Sequence, residues 1–474
     1  MIPDIKFGTD GWRAIIARDF TFAAVRVVAQ GIANYVTSNN LNKKGIVLGY
    51  DNRFLSEDFA RDCARVLVGN GIKVYMPHKA MPTPVTAFAV RLLDAGGAVM
   101  ITASHNPPQY NGIKFIPIYA GPAMPDITSL IEEEVNRVLA NGRLYELDLE
   151  EARQLDLLKE IDIEKDYINH LLKLIQPEHF TDRKLKVVID PMYGAGIGYL
   201  DRILGELGCE VKTLNNYRDV LFGGQLPEPT AANLSALSRM VVNSEADIGL
   251  ALDGDADRFG IVDNNGEFVT PNHFMYLLLD HLIKTRTFRG PVCRSAVTTH
   301  MLDRVARQNG LTVIETPVGF KYIGECLREK GCMLGGEESG GLSIFGHIPE
   351  KDGILAGLLA VEMLAVTGKR LPDISQDFSA EYGDMFSERI DIRTKPQDKD
   401  AIVEKMNTFN PRHVAGLKVT GGNDAEGKKI ELEDGSWLAV RASGTEPVFR
   451  VYVETFSERM LKCIQKEILD NLGL

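Results

Sequence analysis

Three aspartates alternate in Asp253-Gly254-Asp255-Ala256-Asp257-Arg258, which aims three hard oxygen ligands at one point. So many carboxylates on one short loop need a cation or many donors. The oxygen set suits Mg²⁺, which completes its shell with water and phosphate oxygens. An EF-hand loop begins similarly, but Gly254 comes too early for it and Arg258 stands where its glycine belongs. A second stretch, Thr102-Ala103-Ser104-His105-Asn106-Pro107, sets a serine beside a histidine directly after an apolar run. Ser104 reads either as a nucleophile or as a turn residue whose hydroxyl bonds backbone. Arg441-Ala442-Ser443-Gly444-Thr445 offers a guanidinium, two hydroxyls and glycine-permitted backbone N–H groups, the inventory of a phosphate cradle. No GxxxxGK[ST] loop occurs, and Gly194-Ala195-Gly196-Ile197-Gly198 has Tyr199 where a dinucleotide fingerprint needs its third glycine. Glu337 and Ser339, in Gly335-Gly336-Glu337-Glu338-Ser339-Gly340, could fix hydroxyls of a polar ligand. Lys114, Lys321 and His347 carry no signal standing alone: two snorkelling lysines and a satisfied histidine suffice.

These loops fall at repeated positions. Strands at 46–50, 72–76 and 97–101 alternate with helices at 56–69 and 84–94, and the last strand delivers Ser104. A strand at 112–116 follows, then a helix from Pro125-Asp126 to Asn141-Gly142. The plan recurs with strands at 185–190, 210–214 and 248–252, which deliver the aspartates, and a hairpin at Asn265-Gly266. It recurs again with strands at 291–293, 311–315 and 332–334, which deliver Glu337. A charged helical stretch at about 149–175 bridges the first two units, and a helix at about 20–39 precedes them. Phe7 to Arg13 reads as a turn carrying one cation. From about 380 the rhythm changes to a strand at 388–392, a helix at 398–408, a hairpin at Asp434-Gly435, a strand at 448–453 and a C-terminal helix. The fold class is therefore α/β: three repeated mixed-sheet units, 1–150, 151–262 and 263–375, plus an α+β domain, 376–474, around a central cleft. In such sheets ligands bind at strand carboxyl ends.

Composition narrows the partners. A net charge of −12 argues against a broad nucleic-acid surface, though not against a small anionic substrate met by a few local cations. No apolar run is long enough for a membrane span, and the first residues show no signal-peptide core, so a cytoplasmic protein is expected. Six scattered cysteines without metal spacing read as buried free thiols in a reducing compartment.

Together the motifs resemble the α-D-phosphohexomutase family over nearly the whole chain. The match comprises Phe7-Gly8-Thr9-Asp10-Gly11, the serine loop 102–107, the metal loop 253–258, the sugar loop 336–340 and the phosphate loop 441–447, all in order. The resemblance implies that Ser104 carries a phosphoryl group, with Mg²⁺ held by Asp253, Asp255, Asp257 and a phosphoserine oxygen. It implies transfer to a hexose phosphate through glucose 1,6-bisphosphate, which reorients and returns its other phosphate to Ser104. Arg441, Ser443, Gly444 and Thr445 would clamp the phosphate that is not reacting. Lys114 and Arg258 would serve proton transfer or charge stabilisation, with Arg13 helping and His105 in support. Glu337 and Ser339 would grip ring hydroxyls in both orientations, with Lys321 and His347 in the same substrate set. Gly-Glu-Glu-Ser-Gly and the stretch His347 to Gly353 look closest to glucose-preferring phosphoglucomutases, with a phosphomannomutase or dual enzyme as the alternative. Gly341 departs from the Ala or His of many relatives. A metal-dependent sugar phosphatase is the reading from another class, and a non-catalytic sensor a third. The expected assembly is a monomer or dimer.

Overall fold

The apolar runs that precede the chemistry-bearing loops lie inside three separate sheets of a computed structural model, which describes residues 5–8, 11–181, 183–442 and 448–474. Gly97–Ile101, Ile248–Leu252 and Leu334–Glu337 are buried along their whole length. Strands covered on both faces by helices read as continuous apolar or small-residue runs for that reason.

The three sheets share one topology. In the first, Tyr110–Pro117, Gly97–Ile101, Ile46–Tyr50 and Val74–Pro77 are neighbours in that order. Phe259–Asp263, Ile248–Leu252, Lys186–Asp190 and Glu210–Thr213 repeat the order in the second. Gly341–Ile344, Leu334–Glu337, Val292–Ser295 and Val313–Thr316 repeat it in the third. Each unit thus reads fourth, third, first, second strand, with the fourth antiparallel to the third. Its loop leaves the carboxyl end of the third strand beside the first, where the crossover direction reverses and a crevice opens.

Some elements depart from expectation. Residues 149–175 do not form one helix. Asp148 caps a short helix, Leu149–Gln154, and Asp156 adopts a left-handed φ of 57°. Leu158–Ile161 then pairs parallel with Val74–Pro77 as a sixth strand of the first sheet. An available sheet edge outweighs local helical preference there. Trp12–Ile15 is likewise a strand and not a turn, with Arg13 opposite Gly112. Helices Pro271–Thr285, Gly353–Thr367 and Leu371–Tyr382 had no predicted counterpart. The second of these is apolar on every side because it is buried nearly throughout, which erases the amphipathic period that would reveal it.

One apolar core runs continuously from the first unit through the second and third. The fourth domain has its own, between a six-stranded antiparallel sheet and helices Lys399–Thr408 and Glu458–Leu472. It docks on the third unit through Val297 and Val318, packed with Trp437, Ala439 and Tyr452. His300 stacks on Trp437 at 5.0 Å, and Lys429 Nζ lies 2.8 Å from Glu315 Oε2. Among the described residues no helix is long and apolar enough to cross a membrane.

Candidate active site

Ser104 is buried and held at a left-handed φ of 50°. Its amide donates to Thr102 Oγ1 at 2.8 Å, and Thr102 Oγ1 donates to Asp51 Oδ2 at 2.6 Å. The loop is clamped from outside by Arg53, which is fully buried. Arg53 Nη1 donates to the carbonyls of Pro107 and Tyr110 at 2.9 and 3.0 Å, and Nη2 to those of Ser104 and Asn106 at 2.5 and 2.7 Å. Its Nε lies 3.2 Å from Asp51 Oδ2. Such over-determination holds a serine in a sparsely populated backbone region.

The second unit meets this loop edge to edge. Gly254 is required at the junction: a Cβ there would lie 2.5 Å from the Ser104 carbonyl oxygen. Ser104 Oγ donates to Asp253 Oδ2 at 2.9 Å. Asp253, Asp255 and Asp257 are all buried, and one ligand oxygen from each lies within 4.8 Å of the others. Burial, then the two neighbouring carboxylates, push the Asp253 carboxyl well above its usual range. Asp257 Oδ1 is buried without a hydrogen-bond partner. An orphaned anionic oxygen beside two more carboxylates fits a hard divalent cation.

Cations ring the triad. Lys114 Nζ, from the strand Tyr110–Pro117, lies 3.2 Å from Asp255 Oδ2 and 3.6 Å from Asp257 Oδ2. Lys351 Nζ lies 3.2 Å from the same Asp257 oxygen. That approach depends on Gly341, where a Cβ would sit 2.5 Å from Lys351 Cδ. Gly341 thus makes room for the lysine stem. Arg258 donates its amide to Asp253 Oδ1 at 3.0 Å, and its guanidinium lies 3.6 Å from Glu228. Arg13 Nη1 donates to Asn106 Oδ1 at 2.9 Å, bringing the edge strand's cation to the serine loop. His105 Nδ1 stands 3.3 Å from Ser104 Oγ. Burial, then Arg258, Arg13 and Arg53, hold this imidazole well below its usual pKa, so it is neutral.

Glu337 ends its strand buried, with Oε1 accepting the Gly319 N–H at 2.9 Å. Ser339 is half-buried in the turn that follows, and Lys321 lies in the first turn of helix Phe320–Lys330. Burial, then Glu338, raise the Glu337 carboxyl from 4.5 to about 7. Between those values the folded chain holds a proton that the unfolded chain has released. Stability therefore falls as pH rises through that window, by at most about 3 kcal/mol. Glu337→Gln should flatten this fall; unfolding midpoints from pH 5 to 8 that keep the wild-type slope would refute it.

Family models for phosphoglucomutase/phosphomannomutase match in four consecutive parts. Alpha/beta/alpha domain I covers residues 4–141, domain II 165–266, domain III 270–382 and the C-terminal domain 394–471. The chain belongs to the α-D-phosphohexomutase family. It is 30% identical to a phosphoglucomutase of Komagataeibacter xylinus, over 99% of this chain and 91% of the relative. It is 32% identical to a Pyrococcus horikoshii protein named as a phosphoglucosamine mutase, over 97% of this chain and 96% of the relative. The crystal structure of a Thermus thermophilus protein named as a phosphomannomutase superposes with a TM-score of 0.86 at 32% identity, covering both chains fully. Like its relatives, this phosphohexomutase is a mutase, an isomerase.

Not every expected residue of the phosphohexomutase reaches the cleft. The His347 side chain has no exposed surface; Nε2 pairs with Asp352 Oδ2 at 2.8 Å and Nδ1 with His170 Nε2 at 3.1 Å. Asp352 Oδ2 also accepts from Tyr167 at 2.6 Å, while its other oxygen caps the helix Gly353–Thr367. Both imidazole nitrogens are committed to this buried relay. His347→Ala should lower the unfolding midpoint, costing about 1–3 kcal/mol by stranding polar partners, and leave KM unchanged. A raised KM at unchanged midpoint would restore the ligand role. Arg441 donates to the Glu426 carbonyl and carboxylate at 2.9 and 2.8 Å. Ser443, Gly444 and Thr445 lie outside the described residues.

Other residues of the site escaped the sequence reading. Asp51 and Arg53 follow the strand Ile46–Tyr50, and that position after a buried strand was the available signal. Thr83 Oγ1 donates to Asp255 Oδ2 at 2.6 Å from the start of a helix. Arg389, in the fourth domain's strand Phe386–Arg393, is held by Asp391 through two bonds of 2.6 Å. Its charge bears, more weakly than nearer groups, on His105 and Glu338.

Proposed function

We propose that this phosphohexomutase interconverts glucose 1-phosphate and glucose 6-phosphate through a phosphorylated Ser104 and a bound glucose 1,6-bisphosphate. The observation that carries this reading is Ser104 Oγ at 2.9 Å from Asp253, one of three clustered carboxylates, with Lys114 Nζ 3.2 Å from a second, Asp255. The Glu337–Ser339 loop and the name of the Komagataeibacter relative support glucose as the sugar.

The step is a phosphoryl transfer in each direction. The P–O bond to Ser104 Oγ breaks as one forms to a sugar hydroxyl, whose proton leaves to a base; the second half-reaction reverses this with the other phosphate. Asp253, Asp255 and Asp257, with a phosphoserine oxygen, would hold Mg²⁺, which supplies charge neutralisation at the transferring group. Lys114 and Lys351 add positive charge on the same side, and neutral His105 orients the serine oxygen. Glu337 and Ser339 would accept and donate hydrogen bonds to ring hydroxyls, and Arg441 to Thr445 would hold the idle phosphate.

The test is kcat/KM for glucose 1-phosphate and mannose 1-phosphate in parallel, with Mg²⁺ and a trace of glucose 1,6-bisphosphate, while following inorganic phosphate. A clear glucose preference without phosphate release supports the reading. Comparable rates would make this a dual enzyme, and stoichiometric phosphate release a phosphatase.

A further inference from the structure

The loop that delivers Lys351 is anchored from two directions. Towards the aspartate loop, the Gly353 amide donates to the Ala256 carbonyl at 3.1 Å. On that side Lys351 Nζ lies 3.2 Å from Asp257 Oδ2 and 5.4 Å from the centre of the Phe320 ring. On the other side, Asp352 is fully buried and meets the helix Glu164–Leu171, which follows the sixth strand of the first sheet. Tyr167 donates to Asp352 Oδ2 at 2.6 Å, and His347 Nε2 stands 2.8 Å from the same oxygen. His170, one turn on from Tyr167 and so on the same helix face, places its Nε2 3.1 Å from His347 Nδ1. Its ring stacks on Phe88 of the first unit at 5.0 Å.

A carboxylate only accepts, so His347 donates from Nε2 and its Nδ1 accepts from His170. Every bond of the relay is thereby directed towards Asp352. Capping does not require this arrangement. Asp352 Oδ1 alone accepts the Ile354 and Leu355 amides, at 2.9 and 3.0 Å, and that satisfies the start of helix Gly353–Thr367. Oδ2 is held instead by side chains of another helix and of the loop itself, which fixes how the carboxylate is turned. Lys351 is the residue immediately before it. A lysine ammonium rides on a flexible four-carbon stem, so its position depends on how firmly the backbone beneath it is held. A buried polar network with its members satisfied supplies that rigidity.

We propose that Tyr167, His170, His347 and Asp352 form a positioning relay that holds Lys351 Nζ against Asp257 during phosphoryl transfer. The proposal rests on the reading above, in which Lys351 adds positive charge beside the transferring group. The four residues act through Lys351 and by geometry. A donor withdrawn from Asp352 Oδ2 lets the carboxylate turn; the backbone at 351–352 follows, and the ammonium leaves its oxygen. The helix Glu164–Leu171 thus contributes to the site from behind the loop, across a chain of three hydrogen bonds.

Tyr167→Phe withdraws one donor from Asp352 and keeps the shape of the ring. It should lower kcat about tenfold with KM little changed, read on whichever of glucose 1-phosphate and mannose 1-phosphate the wild type prefers. Asp352→Asn keeps the capping oxygen but turns an NH₂ group towards two donors, and should lower kcat further. Lys351→Met should lower kcat at least as far as Tyr167→Phe. Adding Tyr167→Phe to it should cost no more rate, because the relay then has nothing to hold. A relay that only stabilises the fold would lower the unfolding midpoint of Tyr167→Phe and leave kcat intact. Wild-type kcat in Tyr167→Phe or in Lys351→Met, or the same loss repeated when Tyr167→Phe is added to Lys351→Met, overturns the proposal. Crystals of Tyr167→Phe grown without sugar give a second readout. Lys351 Nζ should lie beyond hydrogen-bond reach of Asp257, and a lysine still in place overturns the relay. This readout stands even where the glucose assignment fails, a failure that the parallel sugar assay detects by itself.

Discussion

Ser104→Ala should abolish mutase turnover, by roughly 10⁴-fold or more, while leaving the fold intact. Removing a nucleophile that acts in concert with its surroundings costs losses of this order. Stability should barely change, for a local reason. The strained φ of 50° is imposed by the Arg53 clamp and is equally strained for serine and alanine. The side chain itself supplies one hydrogen bond, to Asp253, and its neighbour contact with His105. Ser104→Gly removes the strain together with the hydroxyl, so it should be at least as stable as the wild type and just as inactive. Ser104→Thr keeps the hydroxyl but adds a β-branch in the left-handed region, which should lower both stability and rate. The measurements are turnover of glucose 1-phosphate, retention of label after incubation with labelled bisphosphate, and unfolding midpoints. An alanine variant that still turns over and still takes up label would remove Ser104 from the reaction.

How much of this arrangement could be read beforehand depends on where the information lies. The serine and aspartate loops are contiguous, follow strands buried on both faces, and recur at the same place in each unit, so local pattern and repetition agreed. Arg53 and Lys351 are different. Each is a lone cation in sequence, and its role exists only because the chain brings it against Asp51 and four carbonyls, or against Asp257 past the missing Cβ of Gly341. The strand Leu158–Ile161 was hidden because its partner, not its own composition, makes it a strand. Gly353–Thr367 was hidden because a helix buried nearly all round has no polar face to mark its period. His347 is a different case. A family motif carried it into the substrate set, whereas the structure seals its ring between Asp352 and His170.

Arg53→Lys should cut kcat by about a hundredfold with little effect on KM, although Arg53 touches no substrate. Lysine keeps the charge but not the planar fork, and one ammonium cannot reach four carbonyls spread from Ser104 to Tyr110. The serine loop then loses its fixed geometry, and an ångström of misplacement at a reacting oxygen costs a factor of that size. Arg53→Met should be worse, since it strands the buried Asp51 carboxylate without its counter-charge and costs about 3–5 kcal/mol. The paired change Asp51→Asn with Arg53→Met removes that uncompensated charge, so it should recover part of the stability while recovering none of the rate. This split separates a positioning role from a merely structural one. Stability follows the balance of the buried pair, and kcat follows the number of carbonyls held. Wild-type kcat in Arg53→Lys would mean that the carbonyl clamp does not position Ser104. A double variant that regains rate along with stability would show that Arg53 acts through folding alone.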